Sequence, residues 1–223
     1  MKNAFKLFGR VGLLAVTLLI FWWVLNHSFS KIINLSLIAG SALLVYPAVW
    51  LGRVLLDKNP TVDHTIRITT FVHYTVMILL GTSIIRAVST YKEWPFGVLP
   101  VPAAVGLVLV IITGAAALFS VVNLALKGLG APFAIALSRK LTADWMYAWT
   151  RNPMVLSTLA FLLSLGIWFQ SLIFLLWVLI LFTPALLFFV KVYEERELEI
   201  RFGTSYLEYK SRTPMLFPRK PKA

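Results

Sequence analysis

The chain has 223 residues, of which 59% are hydrophobic and 13% are charged, and its formal net charge is +12. A soluble domain carries about 25% charged residues, and several uncharged runs here exceed the ~20 residues that cross a bilayer core. The composition therefore predicts a polytopic, all-α membrane protein. The absence of cysteine excludes disulfides, thiolate nucleophiles and cysteine-bound metals. In a membrane protein, excess Lys and Arg sets topology and contacts anionic lipid, so no nucleic-acid partner is expected.

The N-terminus resembles a secretory signal, with basic residues before an apolar run at 11–25. No small-residue cleavage site follows Trp22 and Trp23, so we expect a retained first helix. Apolar runs predict helices over 7–26, 32–56, 68–85 and 102–126. The polar segment 57–67 and the loop 86–100 are expected to separate the second, third and fourth of these helices.

The stretch from Asn152 to Val190 carries no charge. As one straight helix it would be about 58 Å long at ~1.5 Å per residue, nearly twice the thickness of a bilayer core. It must therefore fold back, and the segment Phe169-Gln170-Ser171 is the expected turn. This predicts a fifth helix over 153–168 and a sixth over 172–202, giving a C-terminal hairpin and about six crossings. Asn152 and Pro153 are good N-cap and first-turn residues for the fifth helix.

Charge distribution predicts the orientation of these helices. Of the 21 basic residues, only Lys31, Arg86 and Lys92 fall on one side of the predicted membrane. The positive-inside rule then places both termini in the cytoplasm, and we expect an integral, multi-pass protein of a bacterial or archaeal inner membrane. Residues 1–100 would form an N-terminal helical part, and residues 101–223 a core of helices, connector and tail.

The end of the sixth predicted helix carries most of the acidic residues. If Gly203 does not end the helix, five residues share one face: Glu195, Glu199, Phe202, Tyr206 and Tyr209. Carboxylates beside aromatic rings suit an organic cation. The alternative is an ordinary solvated helix end with pairs such as Glu197–Arg201.

Two further residues have both a functional and a structural interpretation. Arg151 stands before a helix N-terminus, where a guanidinium and free backbone N–H groups could bind a carboxylate, although it could also be a topology anchor. His73 lies within an apolar helix, and an intramembrane histidine suggests function. Because the sequence shows no partner for it, a buried, hydrogen-bonded histidine is expected.

The C-terminal half resembles the integral-membrane methyltransferases that include isoprenylcysteine carboxyl methyltransferase and the bacterial phospholipid N-methyltransferases. The resemblance covers about 118–218 and rests on the order of several short motifs around the hairpin. These are Gly130-Ala131-Pro132, Tyr147 with Arg151-Asn152-Pro153, Glu194-Glu195, Phe202-Gly203 with Tyr206 and Tyr209, and Arg212 with Pro214 and Pro218.

The resemblance implies S-adenosylmethionine as cofactor, in a cytoplasmic pocket, and a lipophilic acceptor that enters from the bilayer. It assigns cofactor binding to Tyr147, Arg151, Asn152, Pro153, Glu194, Glu195, Tyr206 and Tyr209, and catalytic roles to Glu194, Glu195 and Arg212. The acceptor would be an isoprenylcysteine-like carboxylate or a phospholipid amine. No metal site is implied. Trp145, Met146, Ala148 and Val155 depart from the usual motif. The alternatives are a non-catalytic protein with a degenerate methyltransferase fold and an NADPH-dependent relative of the sterol reductases.

Overall fold

The computed structural model describes residues 2–94, 97–128, 138 and 140–221, which form helices, turns and one isolated bridge. The helices are α1 (Lys2–Asn26), α2 (Lys31–Lys58), α3 (Val62–Thr90), α4 (Ala103–Gly128), α5 (Pro153–Trp168), α6 (Leu172–Phe202) and α7 (Thr204–Arg212). A single helical turn, Met146–Trp149, precedes α5. The described helices thus confirm the all-α class.

Helix α6 lies at the centre of the core. It packs against α2 and α3 on one side and against α5 on the other, while α1 packs on α3 and α4 packs along α5. The hydroxyl of Tyr193 in α6 forms a buried hydrogen bond with the hydroxyl of Thr69 in α3, at 3.1 Å. At Gly52 in α2, an added Cβ would lie 3.0 Å from the Tyr193 ring, so the glycine permits this close packing.

The turn between α5 and α6 confirms the predicted hairpin. Helix α5 ends at Trp168, and Gln170 adopts a φ of 56°, which reverses the chain. The Ser171 hydroxyl accepts a hydrogen bond from the Phe174 N–H and caps the start of α6. The Leu172 N–H donates to the Gly97 carbonyl at 3.1 Å, so the α3–α4 loop is held against this turn.

Helix α6 ends where Gly203 adopts a φ of 54°. The condition for a continuous face from Glu195 to Tyr209 is therefore not met, because the chain turns at Gly203 before α7 begins. Both Tyr206 and Tyr209 are nevertheless buried, since α7 folds back against the start of the hairpin.

The boundaries predicted for the third helix are also wrong. Helix α3 begins at Val62, six residues before the predicted start, and continues to Thr90. Arg86, predicted to begin a loop, is a buried helical residue. Its guanidinium donates to the Asn34 amide oxygen at 2.6 and 3.0 Å and to the Val24 carbonyl at 2.8 Å. These acceptors allow the charge to lie inside the bundle, where sequence reasoning expected water.

Four helices in the described part of the chain are long and apolar enough to cross a membrane: Lys31–Lys58, Val62–Glu93, Ala103–Lys127 and Leu172–Phe202. The apolar helices Val11–Asn26 and Pro153–Trp168 are shorter. The six crossings, the orientation of the termini and the boundary at residue 100 stay predictions.

Candidate functional site

A cavity of about 590 Å³ lies between α6 and the surrounding helices. Its wall is polar near the end of the bundle where α5 begins and α6 ends, which we call the charged end. The polar wall includes Tyr147, Arg151, Asn152, Glu194, Glu197 and Tyr206. Deeper in the bundle the wall is apolar, with Leu18, Phe21, Leu80, Ile84, Phe182 and Phe189. One cavity therefore joins a charged surface to an apolar interior.

Arg151 is held at the polar wall by an ion pair across the hairpin. Its Nη2 lies 2.8 Å from Oε1 of Glu195, and the two side chains are only 9% and 10% exposed. Two other guanidinium nitrogens of Arg151, Nε and Nη1, are buried without a hydrogen-bond partner in the described part of the chain. Since buried donors are normally satisfied, these nitrogens are available to an anionic ligand.

Glu195 supports Arg151 from outside the cavity wall. Its second carboxylate oxygen lies 2.7 Å from Nζ of Lys210, which also contacts Glu199 at 3.0 Å. Partial burial lowers the pKa of Lys210, but hydrogen bonds and charge attraction from the two carboxylates outweigh burial and leave the pKa above its usual value. The network thus fixes one oxygen of Glu195 on Lys210 and the other on Arg151.

Glu194 faces the cavity because α6 contains a widened turn. The cavity-lining positions on α6 are 182, 186, 189, 194, 197, 198, 201 and 202. Their helical spacing is broken by one five-residue step, between 189 and 194. That step coincides with the π-helical segment Phe189–Glu194. A regular helix would place Tyr193 on this face. The Glu194 carboxylate has no hydrogen bond or ion pair among the described residues, so it can accept ligand hydrogen bonds.

Glu197 and Arg201 form the predicted i,i+4 ion pair, but the pair is buried and lines the cavity. Arg201 also donates to the backbone carbonyl of Ser138 in the connector before α5. The interpretation of this region as a solvated helix end is therefore wrong.

Three tyrosines complete the polar wall. The Tyr209 hydroxyl donates to the Tyr147 backbone carbonyl at 2.7 Å, and the Tyr206 and Tyr209 rings meet edge-on at 6.3 Å between centroids. Burial raises the pKa of all three phenols above the usual value, and the nearby carboxylates raise the pKa values of Tyr147 and Tyr206 further. These side chains are therefore neutral walls of the site at physiological pH.

The C-terminal tail, residues 213–219, lies along residues 149–152 and fixes the start of α5. The Arg151 N–H donates to the Pro214 carbonyl at 2.9 Å, and the Arg219 N–H donates to the Trp149 carbonyl at 3.0 Å. The Asn152 side chain donates to the Met215 carbonyl at 2.9 Å and makes no cap hydrogen bond. Asn152 is the N-cap by position, but its side chain holds the tail.

The hairpin brings most of the sequence-predicted residues together. Tyr147, Arg151, Asn152, Glu194, Tyr206 and Tyr209 line the cavity. Glu195 does not line the cavity but contacts Arg151, which does. Pro153 lines a separate apolar pocket, and Arg212 lines neither the cavity nor that pocket. The assigned roles of these residues stay predictions, and the Gly130-Ala131-Pro132 motif lies outside the described residues.

Sequence reasoning did not place His73, Glu197 or Arg201 at the site. His73 is hydrogen-bonded as expected, with Nδ1 2.9 Å from the Thr69 carbonyl, but it also lines the cavity. Its helix is distant along the chain from the hairpin, and no local motif links the two. Only the packing of α3 on α6 shows the connection.

The fold and the cavity define a class of protein: a helical, multi-pass membrane protein with a charged pocket that continues into its apolar core. Residues 101–205 match the sequence model of the phospholipid methyltransferase family. This segment, just under half of the chain, confirms the resemblance to the integral-membrane methyltransferases. Searches of curated proteins and of solved structures gave no match. The matched segment contains Arg151 and Glu194 but not His73 or the tail.

Proposed function

We propose that the protein transfers a methyl group from S-adenosylmethionine to a lipophilic acceptor in the membrane, with both termini and the charged end of the bundle facing the cytoplasm. The observation that carries this proposal is the pair of unsatisfied groups at one end of the cavity. Among the described residues, Arg151 has two buried donor nitrogens without a partner, Glu194 has a carboxylate without a hydrogen bond or ion pair, and the deeper wall is apolar.

The residues of the polar wall fit the chemistry of this cofactor. Its amino-acid end carries a carboxylate and an ammonium, and its ribose carries two hydroxyl groups. Arg151, with the uncapped N-terminus of α5, suits the carboxylate, and Asn152 adjoins it. Glu194 suits the ribose hydroxyls or the cationic end, and Tyr206 and Tyr209 suit a flat or cationic surface. A volume of about 590 Å³ lies within the ~300–1,000 Å³ typical of small-molecule sites.

When bound, the cofactor supplies a methyl group already activated on a sulfonium sulfur. The protein therefore has to align the acceptor and exclude water. Arg151 and Glu194 fix the orientation of the cofactor, and Glu195 and Lys210 hold Arg151 in place. The apolar residues from α1 and α3 receive the hydrocarbon part of the acceptor, which is an isoprenylcysteine-like carboxylate or a phospholipid amine.

The proposal is tested by calorimetric titration of the full chain in nanodiscs with S-adenosylhomocysteine, the demethylated cofactor. We expect binding to wild type, no measurable binding to R151A, and at least a tenfold loss for E194Q, since hydrogen bonds to charged groups contribute about 1.5–3 kcal/mol. R196A and E208A are matched controls, because Arg196 and Glu208 lie outside the cavity wall. Unchanged affinity in R151A refutes the assignment, and binding of NADPH instead would favour the reductase alternative.

A further inference from the structure

His73 is a polar group of the cavity that the proposed function does not yet use. It belongs to α3, outside the segment that matches the family, and its side chain is half-buried and lines the cavity. Its Nδ1 lies 2.9 Å from the Thr69 carbonyl oxygen. A carbonyl only accepts, so Nδ1 carries the proton, and the neutral ring has its lone pair on Nε2. Among the described residues, Nε2 has no hydrogen-bond partner.

His73 lies at the boundary between the apolar and polar parts of the cavity. Its ring meets the Phe189 ring edge-on, with centroids 5.0 Å apart. Phe189 is the last apolar cavity residue of α6 before Glu194. On α3, the apolar wall begins with Val76 and Met77, one turn after His73. A nucleophile on a bilayer-held acceptor must come to this boundary to reach a methyl group held at the polar wall.

The other charged groups of the described cavity wall are cations, are ion-paired, or lie toward the proposed cofactor site. Among the described residues, the charged side chains of the cavity wall are those of Arg151, Glu194, Glu197 and Arg201. Two of these are cations, and Glu197 is paired with Arg201. Glu194 lies beyond Phe189 on the side of Arg151, where the proposed cofactor is bound. The wall residues of α1 and α5, such as Thr17 and Thr158, are neutral.

We infer that His73 is the general base of the reaction, and that the acceptor therefore carries its nucleophile as an N–H or O–H group. The nucleophile's lone pair forms the new bond to the methyl carbon. The electron pair of the broken carbon–sulfur bond stays on sulfur, and the proton of the nucleophile passes to Nε2 of His73. A carboxylate acceptor has no such proton to lose. This inference rests on the proposed methyl transfer and narrows its acceptor.

The test uses the full chain in nanodiscs and three probes: phosphatidylethanolamine (N–H), 4-dodecylphenol (O–H) and N-acetyl-S-farnesylcysteine (carboxylate). We expect methyl transfer from S-adenosylmethionine to an N–H or O–H probe and not to the carboxylate. H73Q should lower kcat about 100-fold or more. The matched control is H64Q on the same helix, because His64 contacts the Leu55 carbonyl and lies outside the cavity wall.

Two measurements do not depend on turnover. Calorimetry with S-adenosylhomocysteine should give the same affinity for H73Q as for wild type, since the base does not hold the cofactor. Diethyl pyrocarbonate, which acylates unprotonated imidazole nitrogen, should label His73 in the wild-type protein, as detected by peptide mass spectrometry.

The outcomes separate this inference from the proposed function. Wild type that fails to bind S-adenosylhomocysteine overturns the proposed function, and the inference with it. If the cofactor analogue binds, the inference alone is overturned by four results: an unchanged rate in H73Q, loss of cofactor affinity in H73Q, an unlabelled His73, or transfer to the carboxylate probe only or to none of the three.

Discussion

Nη2 of Arg151 and Oε1 of Glu195 lie 2.8 Å apart, although the hairpin of α5 and α6 separates them along the chain. The pair closes the base of the hairpin at the charged end. Because both side chains are about nine-tenths buried, removal of one partner leaves the other charge uncompensated, which is more costly than loss of a surface ion pair. The same contact fixes the position of the remaining donor nitrogens of Arg151 at the cavity wall.

Replacement of Arg151 by Lys should distinguish the contribution of the positive charge to cofactor binding from that of the donor geometry. A lysine can keep the ion pair with Glu195, but its single ammonium cannot place donors at both positions of Nε and Nη1, which Arg151 leaves free. We expect the thermal midpoint to change little and the dissociation constant for S-adenosylhomocysteine to rise about tenfold or more, because charged hydrogen bonds are lost. Calorimetry and a thermal-shift assay measure the two effects. Equal affinity for R151K would show that a single positive charge is sufficient.

Removal of the tail should impair the ligand site while the helical bundle stays folded. A chain that ends at Arg212 loses the hydrogen bonds from residues 149–152 to Pro214 and Met215. We expect loss of cofactor binding while circular dichroism still reports the helices. A chain that ends at Lys220 is the control, because it keeps Arg219 and its bond to Trp149. Normal binding by the shorter chain would contradict a supporting role for the tail.

Alkaline pH should destabilise the charged end. Burial raises the pKa values of Tyr147, Tyr206 and Tyr209 in the fold, whereas an unfolded tyrosine titrates near ~10. The stability from this difference is fully present below that pH. This stabilisation is lost as the pH rises above the pKa of an unfolded tyrosine, because the unfolded state releases its protons first. Tyrosinate absorbance and circular dichroism, followed together, should show these phenols ionising only as the structure is lost. Free ionisation of all three in a folded protein would contradict their burial.

Gly106 should be intolerant of a side chain. A Cβ at this position of α4 would collide with the backbone of Trp168 in α5, where the two helices approach closely. We expect G106A to lower the free energy of unfolding by about 1–3 kcal/mol, the usual cost of overpacking. G12A is the matched control, since a Cβ at Gly12 in α1 meets nothing within 4 Å. Equal thermal midpoints for the two variants would show that α4 and α5 can move apart.

Arg86 should contribute strongly to stability. Arg86→Leu leaves the Asn34 amide oxygen and the Val24 carbonyl without the donor that they share, and each unsatisfied buried group costs about 1–3 kcal/mol. R67L on the same helix is the control, because Arg67 is exposed. Reversible denaturation in detergent compares the two. A smaller loss for R86L than for R67L would mean that other donors replace the guanidinium.

The sequence predicted the hairpin well, because its signals are local. An uncharged run too long for one crossing, Pro153 at the start of α5 and Gly203 at the end of α6 fix the boundaries. Arg86 was misplaced because its partners, Asn34 and Val24, come from other helices. A charged residue in a sequence does not show whether other helices will supply hydrogen-bond acceptors for it in the folded protein.

The candidate site was predicted only in part, because local sequence signals do not show contacts between distant helices. Arg151 and Glu194 belong to motifs on either side of one hairpin, so sequence alone brings them together. The orientation of Glu194 depends on the widened turn at Phe189–Glu194, for which the residues give no pattern. His73 reaches the cavity only through the packing of α3 against α6.

The tail that lies along residues 149–152 is synthesised after all the helices that it contacts. Until Pro214 and Met215 have left the ribosome, the backbone around Arg151 lacks the hydrogen bonds that hold it. The helices can enter the bilayer during translation, but the charged pocket can form only after this tail has left the ribosome. A reporter fused directly after Arg212 would therefore record insertion of a protein that has not yet acquired its ligand site.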